Sequence, residues 1–197
     1  THVASNITGK AEALISYQER QLGKKAGHAS NYVTGPVTFA EQCLVELGQY
    51  LTPAEAGRAL EGYHTAFPGI RRRQAGIKQV LYNTRFIKTP LGRERHFYGR
   101  MNDDTFRAAY AHSPQGTIPD ITNYLANYLY DMCPDLEFLC QIHDALLLQC
   151  ERGREREVVE AAYDYAAWHP KIELAGGTLV IPVEIKIGQN WKTMEKV

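Results

Sequence analysis

Arg20, Lys24, His28 and Tyr32 recur at every fourth position. On an α-helix that spacing gathers two cations and two rings into one stripe. Cations placed so can neutralise a polyphosphate, and the rings can stack against a base. Far downstream, Ile142-His143-Asp144 lies between two apolar runs, Phe138-Leu139-Cys140-Gln141 and Leu146-Leu147-Leu148. Each run is long enough for a buried strand, so together they predict a hairpin with His-Asp at its bend. A carboxylate on rigid backbone is how metal-dependent phosphoryl transfer places a cation. Stripe and carboxylate together imply nucleotidyl transfer.

Each residue also has a plainer reading. Asp144 could be a turn aspartate, although Ala145-Leu146 supply none of the glycine or asparagine that a turn favours. An aspartate among apolar neighbours needs a partner, and a divalent cation is a suitable one. His143 is more often an orienting residue than a ligand. Arg20 and Lys24 could be a solvated helix face, and His28 and Tyr32 could serve packing. Gly23 and Gly27 lie four apart beside the stripe, where another backbone or a ligand could approach closely.

The elements that must hold these groups are mostly helical. Residues 8 to about 31 are helix-permissive, and Thr34-Gly35-Pro36 should end that helix. Thr38-Phe39-Ala40-Glu41 predicts a capping box for a second helix, which Gly48 should stop. Thr52, Pro53 and Glu55 repeat the logic for a third, running to Ala66 before Pro68-Gly69. A fourth, from 69 to 83, carries Arg71-Arg72-Arg73, a run that suits solvent as well as phosphate. Residues 86 to 97 predict a small hairpin. Thr105–Ala111 and Ile118–Tyr130 read as two further helices, the second with Tyr124, Leu125, Tyr128 and Leu129 as its buried stripe. After the Asp144 hairpin come a charged helix from 153 to 168, a turn at Gly176-Gly177 and a final alternating strand, Val180–Ile187. The class is α+β, a helical block followed by a small antiparallel sheet.

Composition sets the outer bounds. With 197 residues, 44% hydrophobic and 22% charged, the chain can bury a sizeable core and is not disordered. Twenty-two basic and 22 acidic residues cancel, so any polyanion face must come from clustering. Clustering is present: ten cations lie between Arg71 and Arg107, against Glu94, Asp103 and Asp104. Cys43, Cys133, Cys140 and Cys150 show neither C-x-x-C nor zinc spacing, and read as reduced buried thiols of a cytoplasmic protein. No run approaches the roughly 18 apolar residues of a membrane span.

The stripe Arg20-x3-Lys24-x3-His28-x3-Tyr32 resembles motif B of family A DNA polymerases, the bacterial polymerase I type, and Gln141-Ile142-His143-Asp144 resembles motif C. Between them, Arg107-Ala108-Ala109-Tyr110 and Gln115-Gly116-Thr117-Ile118-Pro119-Asp120-Ile121 are similar to a conserved helix of that family. Tyr63 to Phe97, with Thr89-Pro90-Leu91-Gly92-Arg93, resembles the segment joining fingers to palm, and Ile187-Gly188-Gln189-Asn190-Trp191 the family's closing residues. The resemblance implies fingers over 1–85 and a palm portion over 86–197. It implies that Arg20 and Lys24 grip the triphosphate, with Lys24 acting in catalysis. His28 would lie against the nucleotide, Tyr32 at the template side and His2 near the β-phosphate. Arg107, Gln115, Arg93 and His143 would contact primer–template DNA, and Asp144 would bind Mg²⁺, two ions in all.

Three departures qualify it. Motif A, with the other metal-binding aspartate, should lie upstream of Arg20. Thr1-His2-Val3-Ala4 resembles the histidine segment just C-terminal to that motif. The expectation is therefore a partner polypeptide or N-terminal segment carrying motif A, as in a split or phage-type polymerase. The residue after Asp144 is Ala145 where the family usually has glutamate, and the nucleotide-facing ring is His28. Rival expectations are an accessory nucleic-acid-binding subunit or degenerate relic, and a metal phosphohydrolase using His143-Asp144. The last lacks a second cluster with ligand spacing.

Overall fold

A computed structural model describes residues 1–168, 171–174 and 176–197. The first helices are α1 (His2–Thr8), α2 (Tyr17–Asn31), α3 (Pro36–Leu47), α4 (Pro53–Ala66) and α5 (Gly69–Thr84). A short ribbon, β1 (Phe86–Lys88) with β2 (Glu94–His96), leads to the long α6 (Asp103–Met132). Then come β3 (Glu137–Ile142), β4 (Ala145–Gln149), α7 (Glu155–Trp168), β5 (Ile172–Leu174), β6 (Gly177–Leu179), β7 (Lys186–Ile187) and β8 (Glu195–Lys196). The class is α+β as expected. In place of one small sheet, the described strands form four two-stranded antiparallel ribbons.

The chain divides into two compact units, residues 1–87 with 95–112, and residues 88–94 with 113–197. In the first unit, Ala26 and Ala29 of α2 meet Phe39 and Cys43 of α3 and Ala56, Ala59 and Leu60 of α4. Small residues on α2 and α4 let these helices approach closely. α1 lies on the same two helices through glycine: a Cβ on Gly23 would stand 2.9 Å from the Ala4 backbone nitrogen. One on Gly62 would stand 2.9 Å from Ile7 Cγ1. Gly27 faces the Tyr63 ring. The close approach expected at Gly23 and Gly27 is therefore made by the protein itself. A second cluster joins Leu81, Ile87, Phe97, Phe106, Ala109 and Tyr110.

In the second unit, Leu129 and Cys133 of α6 pack with Leu136 and with Ala162 of α7. Ile121 packs with Tyr165 and Ile172. The Tyr165 hydroxyl donates to the Ile121 carbonyl, and burial pushes its pKa up to about 12. The buried stripe of α6 here is Ile121, Leu125, Tyr128 and Leu129; Tyr124, assigned to it from spacing, is 48% exposed.

Several sequence expectations are corrected. Of the helix expected over 8–31 only Tyr17–Asn31 forms as α2; Gly9 at φ 72° and a 3₁₀ turn over Glu12–Leu14 precede it, and α1 lies upstream. α3 starts at Pro36, with Gly35 as its N-cap, so Thr38 lies inside the first turn; proline is favoured there because its missing N–H would be unsatisfied anyway. The gap between Ala111 and Ile118 is closed, because α6 continues through Pro114 and Pro119. Proline at 114 cannot donate to the carbonyl of Tyr110 four residues back. Arg73 Nη2 does so instead, at 3.1 Å. The predicted strand Val180–Ile187 pairs only at Lys186–Ile187, and Pro182 interrupts the rest. Of the four thiols, Cys43 and Cys133 are buried, while Cys140 is exposed on β3.

Candidate functional site

α2 is fixed at both ends. Its N-cap Ser16 accepts from the Glu19 amide, and Glu19 accepts from the Ser16 amide, a reciprocal box. Lys10 donates to Glu19 at 2.5 Å; that contact first, then the two bonds from Ser16, hold the Glu19 carboxyl down at about 2. At the other end, the buried Gln74 amide donates to the carbonyls of Ser30 and Asn31, at 3.0 and 3.3 Å. Asn31 in turn donates to Tyr63 Oη at 3.0 Å.

On this rigid helix Arg20, Lys24 and His28 are exposed along one face. Tyr32 caps the helix just beyond, its ring edge-on to His28 with centroids 5.0 Å apart. Lys10 and Lys25 pair with Glu19 and Glu46, both at 2.5 Å. Arg20 and Lys24 pair with no carboxylate among the described residues. A helix that neutralises its flanking cations and leaves two in line unpaired presents an anion-binding edge. His2 stands at the start of α1, 3.1 Å from Glu12 and edge-on to the Phe67 ring.

A cavity of about 230 Å³ opens near the C-terminal end of α2, lined by Ser30, Val33, Leu60, His64 and Arg71 among others. Ser30 Oγ and His64 Nδ1 are buried there without a hydrogen-bond partner among the described residues. Burial lowers the His64 pKa. Nothing in the sequence pattern marks this cavity, because its residues come from four helices, α2 to α5, and the loop after α2.

In the second unit, Ile142 pairs with Ala145, so His143 and Asp144 alone form the turn of the β3–β4 ribbon. His143 takes φ 54°, a value that favours glycine. The strand register shifts between Phe138 and Cys140. Contrary to the expectation of buried strands, every residue of β3 is exposed, Leu139 by 52%. Asp144 is exposed too, so desolvation does not demand a cation beside it. Its carboxylate has no hydrogen bond or ion pair among the described residues. That leaves a hard oxygen donor of the kind Mg²⁺ prefers. Among the described residues no group of three or more His, Cys, Asp or Glu is set to hold a metal. The fit to Mg²⁺ is therefore that of one ligand, not of a complete two-ion centre.

The expected DNA contacts are scattered over β-turn and helix. Arg93 grips the Asp120 carboxylate through Nε, at 2.8 Å, and through Nη2. Asp120 Oδ2 is buried without a partner among the described residues. Arg107 pairs with Asp104 at 2.6 Å. Gln115 is exposed on α6.

The family model for DNA polymerase family A matches residues 1–193. The chain belongs to DNA polymerase family A. It is 26% identical to DNA polymerase I of Aquifex aeolicus over 96% of this chain and 33% of that protein. To DNA polymerase I of Deinococcus radiodurans it is 25% identical, over 95% of this chain and 19% of that protein. Its fold resembles the POL domain of Pol1 from M. smegmatis, solved in complex with DNA primer-template and dNTP, with a TM-score of 0.73 and 22% identity over 85% of this chain and 30% of that one. The chain thus spans a third or less of the length of these relatives. In this family A chain, the residues that resemble motif B lie on α2 and at its C-cap, and those that resemble motif C lie on the β3–β4 ribbon.

Proposed function

We propose that this chain carries the fingers (1–85) and part of the palm (86–197) of a DNA-directed DNA polymerase. The observation that carries the reading is the row of Arg20 and Lys24, unpaired among the described residues, leading to the His28 ring on one face of α2 and the Tyr32 ring at its C-cap. The reaction is attack of a primer 3′-hydroxyl on the α-phosphate of a dNTP; the new P–O bond forms as the bond to pyrophosphate breaks. Arg20 and Lys24 bind the triphosphate and neutralise charge growing on the leaving pyrophosphate, and Lys24 acts on that group directly. His28 lies against the nucleotide, Tyr32 beside the template base, and His2 reaches the β-phosphate. Arg93, Arg107, Gln115 and His143 contact primer and template. Gln115 suits the acceptors shared by purine N3 and pyrimidine O2 in the minor groove.

Bound Mg²⁺, two ions, would lower the charge on the reacting phosphates. Asp144 supplies one oxygen donor. The second carboxylate comes from motif A on a partner polypeptide or N-terminal segment. The exposed apolar side chains of Phe138, Leu139 and Ile142 support this, since a bare ribbon with such residues invites a further strand or covering segment. The cytoplasm of a bacterial or phage-infected cell is the matching location. No helix among the described residues is long and apolar enough to cross a membrane.

Primer extension by this chain, with and without a polypeptide bearing motif A, tests the proposal. Extension is expected from the mixture, and Asp144→Ala should abolish it while primer–template affinity stays within about twofold, because one carboxylate is lost from the metal site and none from the DNA face. Synthesis retained by Asp144→Ala would refute the assignment. One observation favours a second reading, an accessory nucleic-acid-binding subunit: Ala145 stands after Asp144 where the family usually keeps glutamate. DNA binding without extension in any mixture would select it.

A further inference from the structure

The β1–β2 ribbon has two unlike faces. Ile87 and Phe97 point into the first unit's core, 7% and 8% exposed. With a period of two, Phe86, His96 and Tyr98 fall on the other face. Their rings form a ladder. Phe86 and His96 lie 5.2 Å apart with planes tilted by 32°, and His96 and Tyr98 lie 5.9 Å apart with planes only 8° from parallel. Tyr98 is 89% exposed, the most exposed of the large hydrophobic side chains among the described residues.

The ladder is held in place. The Phe97 amide donates to the Arg85 carbonyl at 2.8 Å, and Arg85 Nη1 donates to the Gly99 carbonyl at 2.9 Å. Along the sequence the charge is one-sided: residues 85–100 include Arg85, Lys88, Arg93, Arg95 and Arg100 against Glu94 alone. Arg95 falls with Phe97 on the face opposite the ladder and lies over the Phe97 ring, whereas Arg100 pairs with no carboxylate among the described residues.

We propose that this outer face is a binding platform for single-stranded polynucleotide, with bases stacking on His96 and Tyr98 and phosphates meeting Arg100. Flat exposed rings beside a cation suit a flexible polyanion that offers π-faces. A duplex hides its base faces inside the stack, so it gains only the electrostatic part. An apolar protein partner would leave Arg100 unmatched. None of these residues belongs to the α2 stripe or the Asp144 turn, so the platform stands or falls apart from the polymerase reading.

Fluorescence anisotropy of the whole chain with a short labelled oligothymidylate tests it, with a blunt duplex as comparison. His96→Ala/Tyr98→Ala should weaken oligothymidylate binding by about 10- to 100-fold, the loss expected for removing stacking rings, and duplex binding by about twofold or less. Tyr98→Phe, which keeps the ring, should bind like the parent. Tyr98→Trp should gain a fluorescence signal that the oligonucleotide quenches, a readout that requires contact at that position. Unchanged binding by the double variant with a native circular dichroism spectrum, equal loss toward the duplex, or no quenching would each overturn the platform. The readout is binding alone, so a chain that adds no nucleotide passes or fails it all the same.

Discussion

Three consecutive arginines on α5 meet three different fates, and only one of them was open to a sequence argument. Arg71 pairs with Glu61 at 2.5 Å on the surface, and Arg72 is exposed. Arg73 is partly buried, where it donates to the Tyr110 carbonyl that Pro114 cannot serve. Desolvation pulls its pKa down, the mark of a cation kept for a structural bond. Arg73→Met should therefore destabilise the fold by about 1–3 kcal/mol in urea unfolding, the cost of an unsatisfied buried acceptor. Arg72→Ala should stay within about 0.5 kcal/mol, as for an ordinary surface change. Equal effects would show that the proline's missing bond has no consequence. Asp144 teaches the converse: its position at the turn was legible, while its environment was not. Strand runs such as Leu146-Leu147-Leu148 imply burial only where something covers them, and a single sequence does not say what does.

At the scale of elements, local chemistry was the most legible part. Thr52, Pro53 and Glu55 start α4 and Gly48 ends α3 as read, because these motifs satisfy backbone groups within a few residues. What failed needed a distant partner: the continuity of α6 depends on Arg73, 41 positions before Pro114. The box on α2 was missed although Ser16 and Glu19 have the right spacing. It gives a pH prediction. Glu19 is held at about 2 in the folded chain against an ordinary 4.5. A carboxyl lowered on folding stabilises above its unfolded value and loses that contribution as pH falls through the folded one. Thermal stability should thus decline between about pH 4.5 and 2, and Glu19→Gln should flatten part of that decline. Glu55, lowered by Thr52 in the same way, adds to the slope. An unchanged slope in Glu19→Gln would separate the box from acid stability. Glycine offers a second test within helices. Gly76 on α5 has no atom within 4 Å of an added Cβ, whereas Gly23 on α2 has the Ala4 backbone at 2.9 Å. Gly76→Ala should stabilise by up to about 1 kcal/mol from helix propensity. Gly23→Ala should destabilise by about 1–3 kcal/mol through overpacking, and melting curves of the pair should move in opposite directions.

For the molecule as a whole, neutrality conceals a strong segregation of charge. The 22 basic and 22 acidic residues sum to zero and the pI is near 7.0, yet ten of the cations fall between Arg71 and Arg107 with three acidic residues. Part of that charge is committed inside the protein: Arg71 to Glu61, Arg73 to the Tyr110 carbonyl, Lys88 to Glu94, Arg93 to Asp120 and Arg107 to Asp104. The acidic residues elsewhere lie largely on other helices, such as Glu155, Glu157 and Glu160 of α7, where Arg154 pairs with Glu157 and Arg156 with Glu160. Net charge is therefore a poor guide to polyanion binding, which depends on local potential and not on the sum. Each phosphate neutralised contributes about −0.9 to the slope of log affinity against log salt for duplex DNA. On the proposed function, primer–template affinity should fall steeply from low to physiological salt, with a slope corresponding to several phosphates, although the protein carries no net charge near pH 7. Arg100→Ala should reduce that slope by about one unit without favouring one sequence over another. A flat salt dependence would mean that the cations between Arg71 and Arg107 are spent on the fold, and that the α2 stripe must hold its ligand without their help.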